Sequence, residues 1–385
     1  MPGIISGTDG RAVDGATVHG ALADLPAGAL QLFASAAEDL FASRLWFGLL
    51  TEHAQPEGCR PRFVSCEGAG TLAALLPLVD GGRHEHALRS LTGPYSLTFR
   101  PLLAPGVSPA MGGRLLGRFC RHAGVVRLDA VPAEMPELED FEAGLRSSGL
   151  AVMRFDHFGN WYEPVAGLSF ADYLAARPGR LRNTIRRKLR RTLAAADFAM
   201  ITGGTGLARG IQSYEEVYAR SWKKPEPFPN FHPALMRAVA AEGLLRLGIL
   251  RVSGQAAAVQ LWVVFGSRAV LLKLAYAEEF AALSPGTVLT ALMIERLLAE
   301  ESVIELDFGC GDDVYKRLWT TCRRQRIGLM LVNPLRPKGM TEIGRSLLGA
   351  GRRKVLSAIG RKRFSPDGLP GKVKRAADTR RGQGL

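Results

Sequence analysis

Cysteine is scarce and shows no pairing pattern: 385 residues hold five, Cys59, Cys66, Cys120, Cys310 and Cys322, with no CxxC spacing. That excludes a disulfide framework and fits reduced thiols in the cytoplasm. Long apolar runs are missing too. The most apolar early segment, residues 45–50, falls far short of the roughly 20 residues a spanning helix needs, and no charged start with an apolar core marks a secretory signal. No transmembrane anchor is expected. His84-Glu85-His86 lacks partners at metal-ligand spacing, so no metal is expected either. Acidic residues are absent from 177–191 (RPGRLRNTIRRKLRR), which carries eight basic groups.

What is present suits a folded body that buries a large interior: 47% hydrophobic and 22% charged residues. The length favours two domains. The net charge of +14 is concentrated in 177–191 and in the tail 336–385, which leaves the rest mildly acidic. A leader (1–29) without periodicity reads as flexible. Residues 30–50 have helical spacing, and 62–67 with 72–79 read as a hairpin across Gly68-Ala69-Gly70. Helix, strand, helix and strand follow to residue 155, then a turn-rich aromatic bridge, HFGNWYEP (157–164). Two helices, a strand, two more helices and a three-stranded antiparallel meander (244–275) lead to the most informative stretch.

That stretch, 270–324, reads strand, loop, helix, strand, helix. Its loop is Ser284-Pro285-Gly286-Thr287, where serine suits an N-cap, proline the first helical turn and glycine a close backbone approach. Free amides and the helix dipole at such a start favour phosphate. The second strand runs into Leu306-Asp307-Phe308-Gly309-Cys310-Gly311-Asp312-Asp313-Val314-Tyr315-Lys316.

SPGT followed by LDFGxGDDxYK resembles the C-terminal half of GNAT-superfamily acyltransferases of the CelD-like (cellulose and exopolysaccharide biosynthesis) group, which is related to the Fem peptidyltransferases. The resemblance is good over 170–334 and weaker over 32–158. It implies a mixed α/β (α+β) fold of tandem GNAT-like domains. The first (30–160) would be degenerate, with nothing like SPGT after its central strands, and would form one wall of a cleft. The second (161–335) would bind the acyl donor. It further implies direct transfer from acetyl-CoA or another acyl-CoA to an amine or hydroxyl of a sugar-containing or anionic acceptor. The alternatives are a Fem-like transferase using aminoacyl-tRNA, and a non-catalytic scaffold subunit.

Each candidate residue has two readings. Ser284, Pro285, Gly286 and Thr287 cradle the donor pyrophosphate or merely start a helix. Asp307, at a strand end, is a base or a structural acid. Tyr315 donates a proton to the leaving thiolate or packs in the core, and Lys316 holds a phosphate or carboxylate or is solvated. Trp222, Lys223, Glu226 and His232 belong to an aromatic, proline-rich segment that is an acceptor-binding lip, with Glu226 or His232 as base, or a rigid connector. Gln260 and Lys273 sit on neighbouring strands of the meander and can face the same cleft. Arg186 and Arg187 lie on a cationic helix that grips an anionic acceptor, a CoA phosphate or tRNA, or is a solvated face. No DNA partner is expected. The basic tail is a candidate peripheral membrane contact.

Overall fold

The computed structural model describes residues 12–13, 15–81, 87–193, 196–341 and 344. His84-Glu85-His86, the first eleven residues and nearly all of the basic tail lie outside the described residues.

The chain begins with β1 (Ala12–Val13), β2 (Ala16–His19), α1 (Ala29–Ser35) and α2 (Arg44–His53). Next come β3 (Pro61–Gly68), β4 (Thr71–Asp80), β5 (Leu88–Ser90) and the short β6 (Leu102–Leu103). Helix α3 (Pro109–Ala123), β7 (Val125–Pro132), α4 (Leu138–Ser147) and β8 (Ala151–Pro164) complete the first half. Helices α5 (Phe170–Ala175) and α6 (Gly179–Leu193) lead into β9 (Ala196–Ile201), α7 (Leu207–Ala219) and α8 (Phe231–Ala241). The expected meander is β10 (Leu245–Val252), β11 (Gln255–Phe265) and β12 (Arg268–Tyr276). Last come α9 (Pro285–Glu300), β13 (Glu305–Cys310), the short α10 (Lys316–Trp319) and β14 (Cys322–Val332).

One order of elements occurs twice: a strand, two helices, three antiparallel strands, a crossover helix, a parallel strand, a helix and a final strand. Among the described residues, the pairs β5–β7 and β12–β13 are the two parallel contacts of the sheet, spanned by α3 and α9. Fold class is therefore the expected mixed α/β with two like halves. The halves share one 14-stranded sheet ordered β1-β2-β3-β4-β5-β7-β14-β8-β13-β12-β11-β10-β9, with β6 beside β4. At its centre the final strands are exchanged. Strand β14 pairs with β7 of the first half, β8 pairs with β13 of the second, and the two exchanged strands pair with each other.

Several sequence expectations are corrected by this arrangement. The supposed leader contributes β2, which is hydrogen-bonded to β3 and has Ala16 buried, because the first half needs the same opening strand as the second. The aromatic bridge is the second part of β8, and the boundary at 160/161 cuts through that strand. The single helix of 30–50 is two, since Asp39 caps a tight turn that interrupts it. The first half also keeps a Ser-Pro helix start. Ser108 accepts the Met111 N–H at 3.2 Å and Pro109 opens α3. Ser284, by contrast, sits in the left-handed region (φ 54°) and makes no side-chain cap.

Helix α9 is clamped from both sides. One face packs on β10, β11 and β12 and the other on α5 and α6. Leu181 and Ile185, the apolar seam of the cationic α6, are buried against it. Gly248 lets β10 come this close, since a Cβ there would lie 2.4 Å from Met293 Sδ.

Candidate active site

Strands β12 and β13 stay paired for only three residues, Arg268↔Glu305, Ala269↔Leu306 and Val270↔Asp307, and then part. The gap opens on a cavity of about 250 Å³. Leu271 to Leu274 line one flank and Phe308, Gly309 and Cys310 the other. Gly309 (φ 73°) lets β13 turn away while a Cβ at that position would sit 3.0 Å from Leu271 O. Leu272, skipped by the ladder to β11, forms a bulge and lines the cavity. The facing wall comes from the first half: Trp46, Pro94, Tyr95 and Leu97.

Glu226 ties the two halves together. Its Oε1 accepts from Lys273 Nζ at 2.6 Å and Tyr218 Oη at 2.5 Å, and its Oε2 from Tyr95 Oη at 2.9 Å. Burial would raise this carboxyl, but the Lys273 and Tyr218 hydrogen bonds outweigh it and hold the group below its ordinary value. Tyr95 stacks on Phe231 with ring centroids 4.2 Å apart. His232, beside it, is 2% exposed, and its buried Nδ1, 4.0 Å from Glu226 Oε2, has no hydrogen-bond partner among the described residues. Burial, and then the Lys273 charge, push its pKa down to about 3, so the ring is neutral near pH 7.

Tyr315 and Lys316 also line the cavity. Burial and the nearby Asp313 charge push the Tyr315 hydroxyl upward, so it remains a proton donor. Lys316 is 3% exposed, bonds to the Cys310 carbonyl and lies 3.2 Å from Asp313 Oδ2.

The structure gathers Lys223, His232, Lys273, Tyr315 and Lys316 around one cavity, with Glu226 bonded behind them. Tyr95 and Tyr218 were not singled out from sequence, and no local pattern marks either. Other candidates fall elsewhere. Asp307 is not in the cavity wall: its Oδ1 accepts from the Gly309 N–H (2.7 Å) and Asn160 Nδ2 (2.6 Å), and its Oδ2 binds Arg324 Nη2 (2.5 Å). It is a structural acid that shapes the β13 turn. Gln260 is buried between Thr290 Oγ1 (2.6 Å) and Trp262 Nε1 (2.7 Å) and does not line the cavity. Asp312 pairs with Arg323.

Ser284, Pro285, Gly286 and Thr287 lie outside the cavity wall. Two of the amides there are committed: Thr287 and Val288 donate to the Ser284 carbonyl at 3.0 and 3.1 Å. The loop connects to the mouth through aromatics. A Cβ on Gly286 would lie 3.3 Å from Tyr276 Cδ1, and Tyr276 packs on the exposed Trp222 at 4.4 Å between centroids. Arg186 and Arg187 point to solvent on α6, while Lys188 of the same helix bonds to the Ala282 carbonyl just before the loop.

Residues 179–317 match a family described as "Acetyltransferase (GNAT) domain". The similarity to a GNAT domain spans a little over a third of the chain. Among solved structures, FemX is similar in fold at 12% identity, covering 74% of this chain and 95% of that one with a TM-score of 0.50. Also similar are L-PGS from Bacillus licheniformis (12% identity, 77% and 89% covered, TM-score 0.47) and a tandem GNAT protein from the clavulanic acid biosynthesis pathway (12%, 74% and 93%, 0.45). No curated protein sequence matches the chain significantly. The matched GNAT segment holds both crossover strands, α9 and the 222–232 lip. Tyr95 and its neighbours lie outside it, so the first half completes the cavity from beyond the matched residues.

The His232 environment gives a pH prediction. Its folded value of about 3 lies below the ordinary 6.5, so between these the unfolded chain binds a proton that the folded chain refuses. Stability from this residue is full above pH 6.5 and is lost as the pH falls. His232→Gln should therefore lose less melting temperature than the unsubstituted protein between about pH 7.5 and about pH 5. Parallel melting curves for the two proteins would contradict the buried neutral ring.

Proposed function

We propose that this protein is an acyltransferase that moves an acyl group, acetyl in the simplest case, from acyl-CoA to an amine or hydroxyl of an acceptor. The observation that carries this reading is the parted β12–β13 pair, opening on a cavity lined by both a neutral buried histidine and a protonated tyrosine. A volume of about 250 Å³ is below the roughly 300–1,000 Å³ that encloses a whole drug-sized ligand, so the cavity suits the reacting ends of two substrates.

The acceptor nucleophile, held by neutral His232, attacks the thioester carbonyl, and the proton it sheds restores the one that Tyr315 gives to the leaving thiolate. The backbone at the Leu272 bulge stabilises the oxyanion. Tyr315 protonates the departing thiolate. No covalent enzyme intermediate is required. The α9 start holds the donor phosphates through its dipole and the Gly286 amide, with Trp222 and Tyr276 flanking the path inward. The acceptor class implied by the family resemblance is a sugar-containing envelope or exopolysaccharide precursor.

A Fem-like reading, with aminoacyl-tRNA as donor, is favoured by the committed Thr287 and Val288 amides and by the exposed Arg186 and Arg187 on α6. Calorimetric titration with acetyl-CoA separates the two. Thr287→Asp places a carboxylate in the first turn of α9, where it supports the helix yet repels phosphate. Saturable acetyl-CoA binding, lost in Thr287→Asp with the melting temperature kept, is expected. Absence of acetyl-CoA binding, together with salt-dependent binding of charged tRNA, would sink the CoA reading in favour of the other.

A further inference from the structure

Three lysines converge on the cavity, and two are satisfied by the protein itself. Lys273 is paired with Glu226 at 2.6 Å, and Lys316 is held by the Cys310 and Gly311 carbonyls and by Asp313. Lys223 differs. It is half-buried in the cavity wall, and among the described residues no carboxylate is in ion-pair contact with it; its ammonium rests only over the adjacent Trp222 ring, 5.7 Å from the centroid. With His232 neutral, Lys223, Lys273 and Lys316 face Glu226 and Asp313, which leaves one positive charge unmatched.

A half-buried, unpaired ammonium is costly unless something completes it. Burial, then the Lys273 charge, pull the Lys223 pKa down. The charged groups acting on it, Lys273, Glu226, Asp313 and Lys316, all belong to the cavity or bond directly to its wall, and none lies on the Ser284–Thr287 turn. His232, whose buried Nδ1 has no hydrogen-bond partner among the described residues, lines the same cavity.

We propose that Lys223 anchors a single negative charge on the acceptor, a carboxylate carried close to the amine or hydroxyl that receives the acyl group. One charge is what the cavity leaves unmatched, so a monoanion fits it and a phosphomonoester overfills it. The anion also relieves the repulsion between Lys223 and Lys273. This rests on the acyltransferase reading, since it names the acceptor for that cavity. The acceptor is thereby an amino acid, a peptide end or an acidic sugar, not a neutral sugar.

The test uses product-like probes on the full chain, with and without bound CoA. N-acetylglycine, N-acetylglycinamide and N-acetyl-phosphoethanolamine are titrated calorimetrically, and acetyl-CoA is titrated separately. The carboxylate should bind about tenfold or more tighter than the amide, the worth of a charge-assisted hydrogen bond. The preference should vanish in Lys223→Met and persist in Lys223→Arg, with acetyl-CoA affinity the same in both variants. Equal binding of carboxylate and amide, tighter binding of the phosphate, or binding of none of the three overturns the proposal. So does a Lys223→Met protein that loses acetyl-CoA but keeps N-acetylglycine, because the lysine then serves the donor. Lys223-dependent carboxylate binding without any acetyl-CoA binding would instead retain the anion site and remove the CoA reading.

Discussion

Arg324→Met is expected to lower the unfolding free energy of the whole chain by about 3–5 kcal/mol, the usual cost of breaking a buried ion pair by removing one partner. Arg324 lies on the exchanged β14 and is 12% exposed. It binds Asp307 at 2.5 Å and Glu305 at 2.8 Å on β13, and its Nε donates to Asn160 Oδ1 on β8 at 2.5 Å. Without it, two carboxylates that belong to the second half face each other on a strand held in place by the first. Both halves should weaken together, in one transition seen alike by tryptophan fluorescence and circular dichroism during urea unfolding. A loss under about 1 kcal/mol, the value typical of exposed pairs, or separate transitions for the two halves, would show that the exchanged strands do not couple them.

Glu226→Gln should reduce turnover by about 10²–10⁴-fold, the range associated with general acid–base catalysis, while acetyl-CoA affinity is unchanged. The amide keeps the shape of the carboxylate but withdraws the charge that pairs with Lys273 and faces His232. Glu226 is here a positioning residue, acting through its neighbours, so activity alone does not decide the matter. Glu226→Gln, His232→Gln and the double variant form a cycle: if the residues work as a unit, the double variant is little slower than the worse single one. Additive losses would separate the two, and a loss of turnover that merely follows the unfolded fraction would make Glu226 structural.

Local pattern was enough for much of the second half. The meander β10 to β12 announces itself through apolar runs broken at Ser253-Gly254 and Gly266-Ser267, and α9 through a proline start and a wide apolar face. Pairings between distant segments were not legible. The 157–164 stretch reads as a bridge because its aromatics and glycine break strand alternation, yet β13 and β14 hold it extended from both sides. Tyr95 reaches Glu226 across 131 residues, a contact no spacing rule contains. Asp307 looked like a base because strand ends in open sheets face clefts; the arginine that claims it comes from the next strand, 17 residues on.

The strand exchange also sets a timetable for synthesis. Strand β7 ends at Pro132, and the neighbour that completes it, β14, begins at Cys322. At about 5–20 residues per second, the ribosome takes roughly 10–40 s to make the intervening chain. Through that interval the nascent first half presents an unpaired β7 edge, an open template for other chains. Native closure of both halves must wait until almost the whole described chain has emerged, and the contacts that achieve it are of high sequence separation, the kind that slows folding. Cellular yield of this protein should therefore depend on whatever shields a nascent strand edge more than on the stability of the finished fold.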